Sequence, residues 1–280
     1  MPIIDIHTHV FPAKIAERAL QSLIDQSHRQ PQRDGAVTLI TRKRQRPQYD
    51  GTVEGLLAEM NRSGIDISVV QPIATRPDQV VSINSWTAAI KNERIIPFGA
   101  MHPDFENPAA EIKRMASLGL RGIKLHPEFQ EFSPLDPRVA PILKAAREHG
   151  LIVLFHAGVD PFYDTVRGTP KAFKTLVEEN PGLTIILAHM GGFDVWDDVA
   201  EHLLGLPVYL DTAFVLGYLP NDEAVALIRQ HGHERVLFGS DEPWANAETE
   251  IARWRESGLS PDELEFVFWR NATKLLGLEL

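Results

Sequence analysis

The sequence predicts a (β/α)₈ TIM barrel, an α/β fold with a closed parallel sheet, and three observations predict it. Eight short apolar runs are spread along the 280 residues. Several of them are apolar throughout instead of alternating, the pattern of parallel strands buried on both faces. A helical stretch follows each run, and eight β-then-α units favour a closed barrel over a doubly wound open sheet.

The strands are expected at Ile3–Ile6, Ile67–Val70, Ile95–Ala100, Gly122–Leu125, Leu151–Phe155, Thr184–Ala188, Val208–Leu210 and Val236–Phe238. Helices are expected at Val53–Asn61, Gln79–Asn92, Pro108–Leu118, Pro137–His149, Pro170–Glu179, Phe193–Leu203, Asn221–His231 and Ala247–Glu256. Pro108, Pro137 and Pro170 stand near helix starts, where a missing N–H costs nothing. Gly119 and Gly150 stand just past helix ends, where a left-handed residue is needed. Ser260-Pro261-Asp262-Glu263 opens a stretch to Leu278 that reads as two further helices packed on the barrel.

No linker or low-complexity tract divides the chain, so residues 1–280 read as one domain. A polar insertion at 28–50 interrupts the repeat. It carries Arg29, Arg33, Arg42, Lys43, Arg44 and Arg46 around a β-prone Val37–Ile40. It reads as a solvated excursion, or as a lid or dimer arm bringing an arginine to an anionic substrate.

Net charge is −10 and there is no cysteine. The acidity argues against nucleic acid as a partner. The missing cysteines exclude disulfides, thiolate nucleophiles and Cys-ligated metals. No apolar run is long enough to span a membrane, and no signal peptide is read, so a cytoplasmic protein is expected.

Ligand-type residues fall at strand ends. His7 and His9 end the first expected strand, His156 the fifth, His189 the sixth and Asp241 the eighth. In a parallel barrel these ends meet at one mouth. Residues two apart on a strand share a face, so His7 and His9 point together and Thr8 turns to the wall. Three histidines and an aspartate form a mononuclear site with room for water, whose pKa the ion lowers toward about 7. Asp241 then ligates the ion and accepts the water's proton, and His189 orients the water or polarises the scissile group.

Asp5-Ile6-His7-Thr8-His9, Gly122-Ile123-Lys124-Leu125-His126-Pro127, Phe155-His156-Ala157-Gly158, Ala188-His189-Met190-Gly191-Gly192 and Gly239-Ser240-Asp241-Glu242-Pro243-Trp244 resemble the amidohydrolase superfamily. The resemblance is to its amidohydrolase-related branch, which includes aminocarboxymuconate semialdehyde decarboxylase. It spans nearly the whole chain. It implies His7, His9, His156 and Asp241 as metal ligands and His189 as the catalytic histidine.

Lys124, His126 and Glu128 are candidates for a bridge to a second metal. One metal is favoured, with Lys124 and His126 as substrate contacts or a structural hydrogen-bond pair and Glu128 as a loop cap. Phe11, Phe162 and Trp244 are read as pocket walls and Arg167 as a carboxylate anchor. The apolar loop Thr212–Tyr218 is read as a substrate-facing rim.

The leading expectation is a metal-dependent hydrolase of a small amide, ester or lactone. The alternative is a nonoxidative decarboxylase of an unsaturated or aromatic carboxylate, which a cation within reach of the ion would favour. An inactive metal-binding barrel and a nuclease are the remaining readings. Zinc is the first choice of metal, with manganese, iron and nickel open. The expected partner is a small molecule, with a homodimer suggested by the insertion.

Overall fold

The computed structural model describes residues 1–27, 47–160 and 163–279. Most of the insertion, with its arginines and Val37–Ile40, lies outside the described residues, as does Phe162.

Strands run in chain order β1 (Ile4–Thr8), β2 (Ile67–Val70), β3 (Ile95–Pro97), β4 (Gly99–Ala100), β5 (Gly122–Leu125), β6 (Ile152–Phe155), β7 (Ile185–Leu187), β8 (Tyr209–Asp211) and β9 (Val236–Leu237). All pair in parallel, as β1-β2-β3 and as β4 through β9 in sequence. β3 and β4 are halves of the one strand expected at Ile95–Ala100, parted at Phe98, whose N–H still donates to Val70 O at 3.0 Å. The ring closes where Ile6 N–H donates to Phe238 O (2.8 Å) and Asp241 N–H to His7 O (2.8 Å). The fold is an eight-stranded (β/α)₈ barrel.

Alternate strand residues divide between two apolar clusters, as the period of two requires. Ile4, Val69, Leu154 and Ile186 fill the inside with Ala272 and Leu276 of the last helix. Val70, Val153 and Ile185 pack outward on helix residues such as Leu56, Ile112 and Phe173.

The helices at Pro170–Glu179 and Asn221–His231 stand where expected. Others are trimmed. Gln79–Asn92 becomes a 3₁₀ turn at Pro77–Gln79 and a helix at Val80–Ala89. The helix expected from Pro137 starts at Ala140, with Pro141 in its first turn. Phe193–Leu203 shortens to Trp196–His202. Thr52, Asn107, Thr169 and Asn246 accept from backbone N–H groups as N-caps, and Ser260 forms a capping box with Glu263. Gly119 and Gly150 are left-handed.

The two C-terminal helices are one run, Pro261–Leu276, widened to a π-helix at Phe266–Arg270. Val267 O there accepts the Phe238 N–H at 2.9 Å. The Asn271 side chain donates to His233 O and Val236 O. The π turn thus couples the helix to the strand that carries Asp241. No helix among the described residues is long and apolar enough to cross a membrane.

Candidate active site at the barrel mouth

Strand ends deliver the site. β1 pairs Asp5 with Ser68 but Thr8 with Val70, leaving one extra residue on β1, a bulge that re-aims the strand's C-terminal end. Thr8 Oγ1 turns to Val69 O at 2.9 Å, while His7 and His9 line the cavity. The cavity encloses about 820 Å³ and is also lined by Lys124, His126, His156, His189 and Asp241. Lys124 and His126 thus face inward together. Phe11 and Trp244 are wall residues, and Phe214 represents the Thr212–Tyr218 loop.

Arg167 is not among the lining residues. Its guanidinium donates to Thr165 Oγ1 and its backbone N–H to Glu128 Oε1, so the loop consumes it. Glu128 Oε1 also accepts from Gly168 N–H (3.1 Å), which makes Glu128 the expected loop cap. Asp241 does not cap the following helix. That role falls to Asn246, with Glu242 Oε1 accepting from Ala247 N–H.

Carbonyl oxygens can only accept, so they fix the ring tautomers. His9 Nδ1 lies 2.7 Å from Gln71 O and must carry a proton there. His7 Nδ1 donates to Asp211 Oδ2 at 2.9 Å. In the neutral rings both Nε2 atoms are lone pairs, and Lys124 Nζ lies 3.2 Å from that of His7. The two Nε2 atoms lie 3.0 Å (His9) and 3.5 Å (His7) from Asp241 Oδ1. Burial, then the nearby Lys124 charge, push His7 well below its usual range, so it is neutral. Burial pushes the Asp241 carboxyl up and positive charge on His7 and His9 would bring it down, so with neutral rings this carboxylate wants a cation beside it.

Two lone pairs and a carboxylate therefore converge, with the Lys124 ammonium the positive group beside them. The donor atoms of His7, His9 and Asp241 all lie within 4.8 Å of one another. This set fits a divalent cation, which would remove the repulsion.

His189 Nδ1 donates to Ala213 O (2.9 Å), so its Nε2 is a lone pair that accepts from His156 Nδ1 (3.2 Å). His156 Nε2 is then a lone pair too, and it is buried without a hydrogen-bond partner among the described residues. It falls outside the 4.8 Å grouping of His7, His9 and Asp241, so its role as a further donor is what the family resemblance implies.

His126, His156 and Asp160 also have donor atoms within 4.8 Å. The His126 and His156 rings, however, stack with centroids 4.2 Å apart and planes 8° from parallel. Two parallel planes cannot both contain one ion, as imidazole lone pairs require. His126 Nδ1 accepts from Phe129 N–H, so its Nε2 carries the proton given to Asp160 Oδ2 at 3.2 Å. This group is a hydrogen-bonded stack.

Lys124 is 1% exposed, with Nζ 3.2 Å from His7 Nε2. Burial pushes its ammonium down to about 8, while Asp211, Asp241 and Asp160 oppose the fall. His189, Phe214 and Asp241 all have φ between 58° and 68°. Left-handed backbone is uncommon outside glycine and costliest here at Phe214, since Asp and His tolerate it better.

The sequence reading passed over Asp211, Asp160, Gln71 and Arg18. Asp211 ends β8 as Asp241 follows β9, a strand-end signal that was available. Gln71 follows β2 directly. Asp160 and Arg18 sit in a loop and on a helix, with no local mark of their place.

A family model described as Amidohydrolase matches residues 4–278. No functionally curated protein matches the sequence. Among solved structures, an uncharacterized TIM-barrel protein from Bordetella bronchiseptica is similar at TM-score 0.74 and 15% identity, covering 99% of each chain. The 5-carboxyvanillate decarboxylase of Novosphingobium aromaticivorans, solved with bound manganese, is similar at TM-score 0.71 and 18% identity, covering 99% of this chain and 97% of its own. The 2,6-dihydroxybenzoate decarboxylase from Rhizobium is similar at TM-score 0.65 and 14% identity, covering 99% of each chain. At these identities the likeness shows the fold.

Proposed function

The chain belongs to the amidohydrolase family, and on that premise we propose that it is a metal-dependent carboxy-lyase, removing CO₂ from a small unsaturated or aromatic carboxylate without oxidation. The observation that carries this reading is Lys124. A buried ammonium 3.2 Å from a donor set that fits a metal is a counter-ion for a substrate carboxylate. An amide, ester or lactone would meet it only through a developing oxyanion, whereas a carboxylate brings a full charge to it in the bound state. The flanking wall of Phe129, Phe193, Phe214 and Trp244 suits a flat ring. Two of the similar folds belong to aromatic carboxylate decarboxylases.

A divalent ion, zinc or manganese first, would be held by His7, His9 and Asp241, with His156 as the further ligand that the resemblance implies, and would supply positive charge for the substrate. Lys124 pairs with the carboxylate and delivers its proton to the carbon that bears it. The C–C bond then breaks, its electron pair returns to the ring system, and neutral CO₂ leaves. Charge balances, because carboxylate and ammonium become CO₂ and amine. His189 holds the His156 ring through Nε2 and closes the site beside Phe193.

Hydrolysis is the second reading, favoured by the Asp241 carboxylate, which stays ionised beside the donor set and can accept a proton from water. The test is a metal-replete protein incubated in D₂O with hydroxylated benzoates and with lactones and esters. Deuterium at the vacated ring carbon is the expected result. Turnover of lactones or esters with every carboxylate untouched would move the assignment to hydrolysis.

A further inference from the structure

The aromatic wall beside His189 is carried by the loop after β8, Thr212–Tyr218. Phe214 lines the cavity, with its ring centroid 6.5 Å from that of His189 and 6.4 Å from that of Phe193. Tyr218 backs the wall, 5.3 Å from Phe193 and 5.8 Å from Phe214. Phe214 has φ of 58°. A bulky residue keeps that conformation only where its surroundings enforce it.

The start of the loop is fixed from the barrel. Ala213 N–H donates to Asp211 Oδ1 (3.1 Å), and Ala213 O accepts from His189 Nδ1 (2.9 Å). Beyond Phe214 the backbone turns on itself, with Tyr218 and Leu219 N–H both donating to Val215 O at 3.2 and 3.1 Å. A grip from outside comes from the helix after β9, Ala247–Arg255. Arg253 Nη1 donates to Leu216 O at 3.0 Å and to Glu250 Oε1 at 2.7 Å. Gly217, at φ +99°, lets the guanidinium lie against the backbone. A Cβ there would stand 3.2 Å from Arg253 Nη1, 3.3 Å from Cζ and 3.4 Å from Nη2. Glu250 is 3% exposed, so its carboxyl is a fixed post that aims the guanidinium. Burial, then Glu250, push the Tyr218 phenol up, with Arg253 opposing and Asp241 adding to the rise. That ring therefore stands between the Glu250–Arg253 pair and the mouth.

We propose that Arg253 is a positioning residue of the active site: anchored by Glu250, its guanidinium holds Leu216 O and Gly217 so that Phe214 stays against His189. It touches no reacting atom. The wall it holds serves hydrolysis and decarboxylation alike, so the assignment goes beyond the carboxy-lyase reading and does not depend on it.

The test is NMR of the zinc-loaded protein, labelled in its backbone amides and histidine rings. In Arg253→Met the Tyr218 and Leu219 amides should exchange at least about tenfold faster, as a segment does when it opens locally, while amides of β6 and β7 keep their rates. The His189 ring resonances, identified by their loss in His189→Ala, should shift. On a Phe214→Leu background the same substitution should leave them in place, because the shift is carried by the Phe214 ring. Arg253→Met also leaves the Glu250 carboxyl unpaired, and Glu250→Gln separates that effect. Alone, Glu250→Gln keeps an acceptor for Arg253 and should leave the loop as in wild type; combined with Arg253→Met it should not restore the loop. The proposal is overturned if loop exchange or the His189 resonances match wild type in Arg253→Met, if β6 and β7 loosen equally, or if Glu250→Gln restores the loop. Neither measurement uses turnover, so a failure of the CO₂ assay is distinguishable from a failure here.

Discussion

Asp211 Oδ2 accepts the His7 Nδ1 proton at 2.9 Å while its other oxygen accepts the backbone N–H of His189 at 2.9 Å. One carboxylate fully buried at the end of β8 thereby sets the tautomer of a candidate metal-donor ring and the position of the candidate catalytic histidine. Burial pushes this carboxyl up, and the surrounding His189 and Lys124 oppose it. Asp211→Asn should weaken metal binding by about 10- to 100-fold, because outer partners of ligating histidines matter at that level. Zinc titration against a competing chelator measures it. Unchanged affinity in a folded variant would remove Asp211 from the site.

His156 and His189 separate by role. His156→Ala should lose metal and activity together, since its bare Nε2 is the proposed fourth donor. His189→Ala should retain metal but lose rate by about 10²-fold or more. Elemental analysis beside turnover assays reads both. Metal and rate both retained in His156→Ala would show that the ring is not a ligand.

Lys124→Met replaces a buried cation with an apolar chain of similar length. Loss of the counter-ion and proton donor should reduce kcat on a carboxylate substrate by at least about 10²-fold. Stability should not fall, because a buried ammonium is penalised by desolvation. A calorimetric scan and a CO₂-release assay check the two halves. Full activity in the variant would refute the carboxy-lyase mechanism.

Glu250 gives a pH signature away from the site. It is buried, Oε1 accepts from Arg253 at 2.7 Å and Oε2 has no partner among the described residues. Burial pushes its carboxyl up to about 7 despite Arg253. The folded state then holds a proton that the unfolded state releases near its ordinary carboxyl range. Its contribution is fully present below that range and is lost as pH rises to about 7, at most about 3 kcal/mol by linkage. Glu250→Gln should flatten the stability profile across that window. Urea melts at pH 5 and pH 7.5 decide it, and equal slopes for both proteins would contradict the assignment.

Gly158 has φ of +85°, and a Cβ there would lie 2.2 Å from Phe193 N and 2.4 Å from Phe193 O. Those backbone atoms are bonded to Ala157 O and Val159 N–H, stitching the loop after β6 to the segment after β7. Gly158→Ala should cost at least about 2 kcal/mol, since left-handed strain alone approaches that. A wild-type denaturation midpoint would mean that the backbone can yield here.

Much of this was written in local sequence. The run-and-helix rhythm marked eight strands, because parallel strands buried on both faces need apolar residues at every position. The strand-end placement of His7, His9, His156, His189 and Asp241 brought all of them to one mouth, because a closed parallel sheet gathers those ends. The caps and left-handed glycines were equally legible, being properties of a few adjacent residues.

Local sequence lacks the pairing between distant atoms. Only the tertiary structure decided that Asp211 and Gln71 O take the imidazole protons of His7 and His9, leaving lone pairs that face Asp241. Only it showed that His126 stacks on His156, that Arg167 is consumed by its own loop, and that Arg18 lines the cavity instead. Tautomer, stacking and cavity lining depend on where chain segments tens to hundreds of residues apart meet. That is set by the packing of the whole barrel, which no short stretch of residues encodes.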